Sequence, residues 1–126
     1  MAKKRIMIID DEEFFTKLVK LNLEKTGKYE VRAENKGSQG LAVAREFKPD
    51  LILLDILMED MEGSEVAVQL KNDVNTRDIP VVFLTAVVKK EEVESGYGVI
   101  GGHPFIAKPI SINELISCIE KNIKKE

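Results

Sequence analysis

The chain has 126 residues, of which 44% are hydrophobic and 33% charged, a size and balance typical of one soluble domain with its own core. The single cysteine, Cys118, excludes an internal disulfide, and the single histidine, His103, excludes a zinc cluster of histidine and cysteine. The net charge of −3 gives no reason to expect direct binding of nucleic acid. No apolar run approaches the length of a membrane span or of a signal-peptide core, so we expect a cytoplasmic protein.

Short apolar or alternating runs take turns along the chain with longer segments of helical period. The short runs predict five strands, at 5–9, 29–33, 51–54, 81–84 and 105–107. The longer segments predict five helices, at about 13–25, 38–47, 64–72, 89–97 and 112–124. This alternation predicts a single α/β domain over residues 1–126, with a doubly wound parallel sheet covered by helices on both faces.

The last two predicted helices differ in how well the sequence specifies them. The helix at 112–124 carries an apolar face at helical spacing, and Ser111 with Glu114 forms a capping box ahead of it. The helix at 89–97 runs into the segment GYGVIGGHP, whose four glycines and one proline disfavour a regular helix. We therefore expect this fourth helix to be short or mobile.

Polar side chains follow four of the five predicted strands. Asp10 and Asp11 follow the first strand and Asp55 the third, while Thr85 follows the fourth and Lys108 the fifth. In an open parallel sheet, ligands bind beyond the carboxyl ends of the strands, near the point where the strand order reverses. We therefore expect three carboxylates, a hydroxyl and an ammonium to crowd one edge of the sheet.

This group of side chains predicts phosphoryl chemistry supported by a metal ion. Three neighbouring carboxylates repel one another unless a cation lies among them, and hard oxygen ligands suit Mg²⁺, or Mn²⁺ in its place. With the metal and Lys108 drawing charge off a phosphoryl group, Asp55 can attack phosphorus and become an aspartyl phosphate. Thr85 can hydrogen-bond the phosphoryl oxygen, and Ala86 is small enough to leave the approach open.

The segments IMIIDDEE, PDLILLDILMEDMEG, PVVFLTA and FIAKP stand in an order and spacing that resemble one known family. That family is the receiver domain of two-component response regulators, which includes the chemotaxis regulator, and the resemblance covers the whole chain. It implies a flavodoxin-like fold with five strands in the order 2-1-3-4-5 and a bound Mg²⁺ ion. It also implies phosphotransfer from a histidine kinase or a phosphotransfer protein.

The resemblance also implies a role for each site residue. It makes Asp55 the phosphoacceptor, and it gives the metal ligands as Asp10, Asp11, Asp55 and the backbone carbonyl of Leu57. Thr85 becomes the switch hydroxyl and Lys108 the phosphate-binding lysine. Phe105 lies three residues before that lysine, where the family has its rotating aromatic residue, and a cis bond is implied between Lys108 and Pro109.

The loop after Asp55 departs from the usual pattern of the family. Glu59 stands where the family usually has proline, and we expect it to face water together with Asp60 and Glu62. Leu57 places an apolar side chain two residues beyond the phosphoacceptor, where it can shield an acyl phosphate from attacking water. We therefore hypothesise a phosphorylated state that hydrolyses slowly.

The leading functional hypothesis is a signalling switch that accepts phosphate on Asp55 and catalyses only its own phosphorylation and dephosphorylation. The change would be read on the surface of the fourth helix, the fifth strand and the last helix, by a downstream protein or an output domain. Dimerisation on phosphorylation is a family-level expectation, and no membrane partner is expected.

Two alternatives stay open. One is a Mg²⁺-dependent phosphohydrolase with an aspartyl nucleophile, and the other is a receiver that binds partners without phosphorylation.

Two single residues are assigned to structure rather than to chemistry. His103, in a loop of glycine and proline, is expected at the surface. Cys118 flanks the apolar face of the last helix and is expected to be a small packing residue.

Overall fold

The computed structural model describes residues 2–85, 99–100, 103–108 and 111–123. In chain order the elements are β1 Lys4–Ile9, α1 Glu13–Lys25, β2 Tyr29–Glu34, a 3₁₀ turn Gly37–Gln39, α2 Gly40–Phe47, β3 Leu51–Asp55, α3 Gly63–Lys71, β4 Val81–Thr85, β5 Val99–Ile100, β6 His103–Ala107 and α4 Ile112–Asn122. The predicted helix at 89–97 lies outside the described residues.

The strands form one sheet in the order β2-β1-β3-β4-β6-β5. The first five of these are parallel to their neighbours, which confirms the predicted order 2-1-3-4-5. The two-residue strand β5 was not predicted, and it adds an antiparallel edge beside β6. Because β1 lies between β2 and β3, the strand order reverses there, and the crevice expected at such a point opens at the carboxyl end of β1.

The central strands are buried on both faces, as expected for a parallel sheet covered by helices. In β1 and β3 the four residues 6–9 and the four residues 51–54 are all 0% exposed. Alternate residues along each strand enter two separate clusters. One cluster faces α2 and α3 and includes Met7, Ile9, Ile52, Leu54, Phe83 and Phe105. The other faces α1 and α4 and includes Ile6, Ile8, Leu51, Leu53, Leu115 and Ile119.

The ends of two helices follow from single residues. Ser111 caps α4, because its hydroxyl oxygen accepts a hydrogen bond from the Glu114 backbone N–H at 3.1 Å, as the predicted capping box requires. Helix α2 begins at Gly40, two residues later than predicted, after the 3₁₀ turn. A Cβ atom on Gly40 would lie 3.1 Å from the side chains of Ile9 in β1 and Val66 in α3, so the start of α2 packs closely against both elements.

The structure differs from prediction at His103 and agrees with it at Cys118. His103 is partly buried, and its ring meets Phe83 edge to face at a centroid distance of 5.5 Å, because β6 begins at this residue. Cys118 is partly buried and packs against the cluster beside α1. Among the described residues, no helix has the length and apolar character needed to cross a membrane.

Candidate functional site

The sheet brings the predicted polar residues together at its carboxyl edge. Asp10 directly follows β1, and Asp55 is the last residue of β3. Thr85 ends β4, and Lys108 directly follows β6. The predicted strands ended one residue early at 54 and 84, so Asp55 and Thr85 lie within the sheet rather than beyond it. Their backbones are therefore fixed by the strand pairing.

Three carboxylates form a cluster at this edge. Asp10, Asp11 and Asp55 each offer one oxygen atom, and these three atoms lie within 4.8 Å of one another. Asp10 is 0% exposed and Asp55 is 6% exposed, whereas Asp11 is only partly buried. The register explains the closeness, since Ile9 pairs with Leu54 and the residues that follow them are Asp10 and Asp55.

Hydrogen bonds hold the carboxylates of Asp10 and Asp11 in place. The Oδ1 atom of Asp10 accepts the backbone N–H of Glu12 at 2.9 Å, and its Oδ2 atom accepts the Lys108 ammonium at 2.6 Å. The Oδ2 atom of Asp11 accepts the backbone N–H of Glu59 at 3.0 Å. The cluster is therefore tied both to the start of α1 and to the loop after β3.

The Lys108 ammonium lies among the acids and is largely buried. Its Nζ atom is 3.0 Å from Oε1 of Glu12 and 3.8 Å from Oδ1 of Asp55, and its side chain is 11% exposed. The same atom lies 4.5 Å from the centroid of the Phe15 ring, within range of a cation–π contact. The backbone N–H of Lys108 donates to the Thr85 carbonyl at 2.8 Å, which fixes the residue beside β4.

The pKa values show that one ammonium does not compensate the buried carboxylates. Burial, followed by the charge of Asp10, raises the pKa of Asp55 to about 6, although Lys108 opposes this shift. Burial also raises the pKa of Asp10, despite its hydrogen bond from Lys108. Burial alone would lower the pKa of Lys108, but its hydrogen bonds to Asp10 and Glu12 outweigh this effect and raise it. The site therefore favours a further positive charge.

The donor set fits a hard divalent cation. All three clustered side chains offer carboxylate oxygens, which are the ligands that Mg²⁺ and Mn²⁺ prefer, and the described residues of the cluster include no thiol or imidazole. Two of the acids are buried and carry raised pKa values, so a cation bound there would relieve their mutual repulsion.

The loop from 56 to 62 follows Asp55, and its far end packs closely against the end of β3. The backbone N–H of Gly63 donates to the Ile56 carbonyl at 2.7 Å, and a Cβ atom on Gly63 would lie 2.1 Å from the Asp55 carbonyl oxygen. Only glycine fits at that approach. Within the loop, Leu57 stands two residues after Asp55 and is 52% exposed.

The acidic residues of this loop meet the prediction only in part. The side chains of Glu59 and Glu62 are exposed, as predicted. Asp60 is also exposed, yet its carboxylate accepts the backbone N–H groups of Gly37 and Ser38, each at 3.0 Å. These donors lower the pKa of Asp60. Asp60 therefore binds the loop to the 3₁₀ turn instead of only facing water.

Three residues near the site were not identified from the sequence. Glu12 and Phe15 contact the Lys108 ammonium, as described above. Asn35 follows β2, and its Nδ2 atom donates to the Asp10 carbonyl at 2.8 Å and to Oγ1 of Thr16 at 3.0 Å. The rule that identified polar residues after the other strands gives Asn35 when it is applied to the observed end of β2 at Glu34, one residue later than the predicted end.

Thr85 and Phe105 are buried in neighbouring strands. Thr85 is 1% exposed and pairs with Ala107, and Phe105 is 9% exposed and pairs with Phe83. Phe105 packs in the cluster that faces α2 and α3. Ala86 and the bond between Lys108 and Pro109 lie outside the described residues.

The sequence and the fold match one family. The model of the response regulator receiver domain matches residues 6–120. The nisin biosynthesis regulatory protein NisR of Lactococcus lactis subsp. lactis is 37% identical over 122 residues, which are 97% of this chain and 51% of NisR. The polar-differentiation response regulator DivK of Brucella anthropi is 38% identical over 120 residues, 93% of this chain and 94% of DivK.

A solved structure gives the same fold. The receiver domain of a sensor histidine kinase from Pseudomonas aeruginosa, which has a magnesium ion coordinated in its active site cleft, aligns with a TM-score of 0.80 at 22% identity. The alignment covers 95% of this chain and 97% of that one. This chain spans about half the length of NisR, the first of these relatives. The family match and the acidic edge of the sheet agree: the chain belongs to the response regulator receiver domains, the phosphorylation-dependent switches of two-component signal transduction.

Proposed function

We propose that Asp55 is the residue that accepts the phosphoryl group, in a Mg²⁺-dependent transfer from a histidine kinase or a phosphotransfer protein. One observation carries this assignment. Asp55 is a nearly buried carboxylate that lies beside two other carboxylates and 3.8 Å from the Lys108 ammonium. Its backbone is the end of a central strand, so the nucleophile is held rigidly at the edge where the phosphoryl group arrives.

The transfer needs an attacking oxygen and a stabilised phosphoryl group. A carboxylate oxygen of Asp55 attacks phosphorus on the donor histidine, the P–N bond breaks, and its electron pair returns to the imidazole nitrogen. Lys108 and the Thr85 hydroxyl receive the phosphoryl oxygens. A divalent cation held by Asp10, Asp11, Asp55 and the Leu57 carbonyl would neutralise phosphoryl charge when bound; Mg²⁺ is proposed, with Mn²⁺ as a substitute.

The switch follows from the new charge on Asp55. A phosphoryl group adds negative charge and strong hydrogen-bond acceptors within reach of Lys108 and Thr85. Movement of these two residues would pull on β4 and β6, which carry Phe83 and Phe105 in one packed pair. We propose that a downstream protein or an output domain reads the change on β6, α4 and the segment between β4 and β5. Dimerisation of the phosphorylated form belongs to the same proposal.

In this proposed function, the protein catalyses only its own phosphorylation and dephosphorylation and turns over no external substrate. Its location in the cytoplasm remains a prediction from the sequence. Leu57 is half exposed and stands two residues after Asp55, which supports the proposal that the phosphorylated state hydrolyses slowly.

Intact mass after incubation with acetyl phosphate tests the proposal. The wild type is expected to gain one phosphoryl group with Mg²⁺ and none after the cation is chelated. Asp55→Ala is expected to gain none in either buffer, and Asp50→Ala, at the opposite end of the sheet, is expected to behave like the wild type.

Other results would assign another function. Continuous release of phosphate from a phosphate monoester, in excess of the protein, would indicate the phosphohydrolase, because a receiver takes its phosphoryl group from an activated donor such as acetyl phosphate. No addition under any condition, with a folded protein, would indicate a receiver that binds partners without phosphorylation.

A further inference from the structure

The loop from 56 to 62 is fastened to the rest of the domain through its apolar side chains. Met58 is 8% exposed, and Met61 packs partly buried against the same cluster. A Cβ atom on Gly37 would lie 3.0 Å from Cε of Met58 and 3.2 Å from Cβ of Met61, so the loop and the 3₁₀ turn are in close contact. The path of the backbone between these two methionines is therefore constrained.

Polar contacts fasten the same loop at two further points. Asp60 accepts two backbone N–H groups of the 3₁₀ turn, from Gly37 and Ser38. One residue earlier, the backbone N–H of Glu59 donates to Oδ2 of Asp11 at 3.0 Å. The Glu59 amide thus joins the fixed loop to a member of the carboxylate cluster.

We propose that the backbone N–H of Glu59 is a positioning group for the Asp11 carboxylate. Asp11 is the most exposed of the three clustered acids, and the charges of Asp10 and Asp55 repel it toward solvent. A neutral N–H donor holds one oxygen of Asp11 beside them at no cost in added charge. The other oxygen is left for a cation, so the tether prepares the cluster before the cation arrives.

This role belongs to the backbone and not to the glutamate side chain, which is exposed. Any residue with an amide hydrogen can supply the bond at this position, whereas proline cannot. The chain therefore differs here from receivers with proline at the corresponding place, which lack this donor. The inference rests on the proposed function, because it treats Asp11 as a ligand of the cation.

Two variants of one residue separate the amide from the side chain. Glu59→Ala and Glu59→Pro both remove the carboxylate and change the net charge equally, but only Glu59→Pro removes the N–H donor. We expect Glu59→Ala to bind Mg²⁺ like the wild type by calorimetric titration. We expect Glu59→Pro to bind about fivefold more weakly than Glu59→Ala, the ratio that corresponds to one hydrogen bond of ordinary net strength.

The same pair in an Asp11→Ala background distinguishes positioning from a distorted loop. If the amide acts through Asp11, Glu59→Pro and Glu59→Ala bind Mg²⁺ equally once Asp11 is gone. A defect of Glu59→Pro that persists in this background would overturn the proposal. Thermal unfolding without Mg²⁺ shows that each variant is folded before it is titrated.

Equal Mg²⁺ affinity of Glu59→Pro and Glu59→Ala when Asp11 is unchanged would also overturn the inference. Phosphorylation of Asp55 in the same preparations reports separately on the proposed function. If phosphorylation is intact and the two affinities agree, only the positioning role fails. If the wild type binds no Mg²⁺, the cation in the proposed function fails and the positioning role fails with it.

Discussion

The two ends of β1 differ in how charged side chains are arranged: opposite charges are paired at the amino end, and like charges are clustered at the carboxyl end. At the amino end, the Arg5 backbone N–H donates to Oδ2 of Asp50 at 2.8 Å, and the Arg5 side chain donates to the Phe47 carbonyl at 2.9 Å. Its guanidinium also lies 3.6 Å from Glu30, and both side chains are about half exposed. At the carboxyl end, Asp10 is fully buried beside two more carboxylates.

The difference separates residues that serve the fold from residues that serve the site. At the amino end, the solvent-exposed pair of opposite charges contributes little to the free energy of folding. Like charges gathered in a buried place are unfavourable for folding, and Lys108 compensates them only in part. An arrangement that is unfavourable for folding, at the crevice of a doubly wound sheet, is expected where a ligand supplies the missing charge.

The largest effect is expected from removing the ammonium at the carboxyl end. Lys108→Met should slow phosphorylation by acetyl phosphate in Mg²⁺ by about a hundredfold, because the charge that faces the phosphoryl oxygens is lost. Phosphoprotein formation followed by intact mass against time gives the rate. Lys20→Met is the matched control, since it removes a lysine that is paired with Glu24 at 3.1 Å away from the site. A similar rate for both variants would contradict the role of Lys108.

The second effect is a pH dependence that belongs to the carboxyl end. The pKa of Asp55 is raised to about 6 in the fold, so its neutral form favours the folded state. The stability that this residue contributes is present below about pH 4 and is lost as the pH rises through 6. Without Mg²⁺, the free energy of unfolding of Asp55→Asn relative to the wild type should therefore rise by about 2 kcal/mol from pH 4 to pH 7. Urea unfolding of both proteins at each pH measures this difference.

Mg²⁺ provides the control for that prediction. Saturating Mg²⁺ should stabilise the wild type at pH 7 and should reduce the advantage of Asp55→Asn, because the cation binds only the folded cluster. A difference between the two proteins that does not change with pH would show that Asp55 is compensated without a cation.

A smaller effect is expected at Leu57, which is half exposed and stands two residues after Asp55. If its side chain shields the acyl phosphate, Leu57→Asn should dephosphorylate several-fold faster than the wild type, because water reaches phosphorus more easily. Loss of the added mass after removal of the donor gives the rate. Val68→Asn, at an exposed apolar residue on α3, is the control for added polarity. No acceleration in Leu57→Asn would remove the shielding hypothesis.

The smallest effect is expected at the amino end of the sheet. Glu30→Gln breaks the Arg5 ion pair but keeps the size of the side chain. The free energy of unfolding should change by less than about 1 kcal/mol, because both partners are exposed and screened. Urea unfolding at two salt concentrations checks this. A change in the free energy of unfolding as large as the gain expected for Asp55→Asn would show that the two ends of β1 do not differ as described.

The fold was predictable where burial on two faces left an unmistakable pattern. β1 and β3 each contain four consecutive buried apolar residues, so the sequence predicted them to within one residue at each end. The strand β5 has only two residues and pairs antiparallel beside β6, so it has neither the length nor the alternation that marks a strand. The start of α2 was misplaced because the 3₁₀ turn before it continues the helical spacing.

The site was predictable where a residue follows a strand, and less so where a partner comes from another element. Asp10, Asp55, Thr85 and Lys108 were identified by position alone, and the structure brings them to one edge. The contacts of Lys108 with Glu12 and Phe15 depend on how α1 approaches the sheet, which local sequence does not determine. The hydrogen bonds of Asp60 join residues 22 and 23 positions apart, so no local motif announces them.

Locating the phosphoryl group on the chain would test most directly whether Asp55 is the phosphoacceptor. Borohydride reduces an aspartyl phosphate to homoserine, so the protein can be treated with acetyl phosphate and Mg²⁺, reduced, digested and mapped by mass spectrometry. We expect homoserine at position 55 and unmodified aspartate at Asp10 and Asp11. Homoserine at either of those residues, or none in a protein that had gained phosphoryl mass, would contradict this assignment.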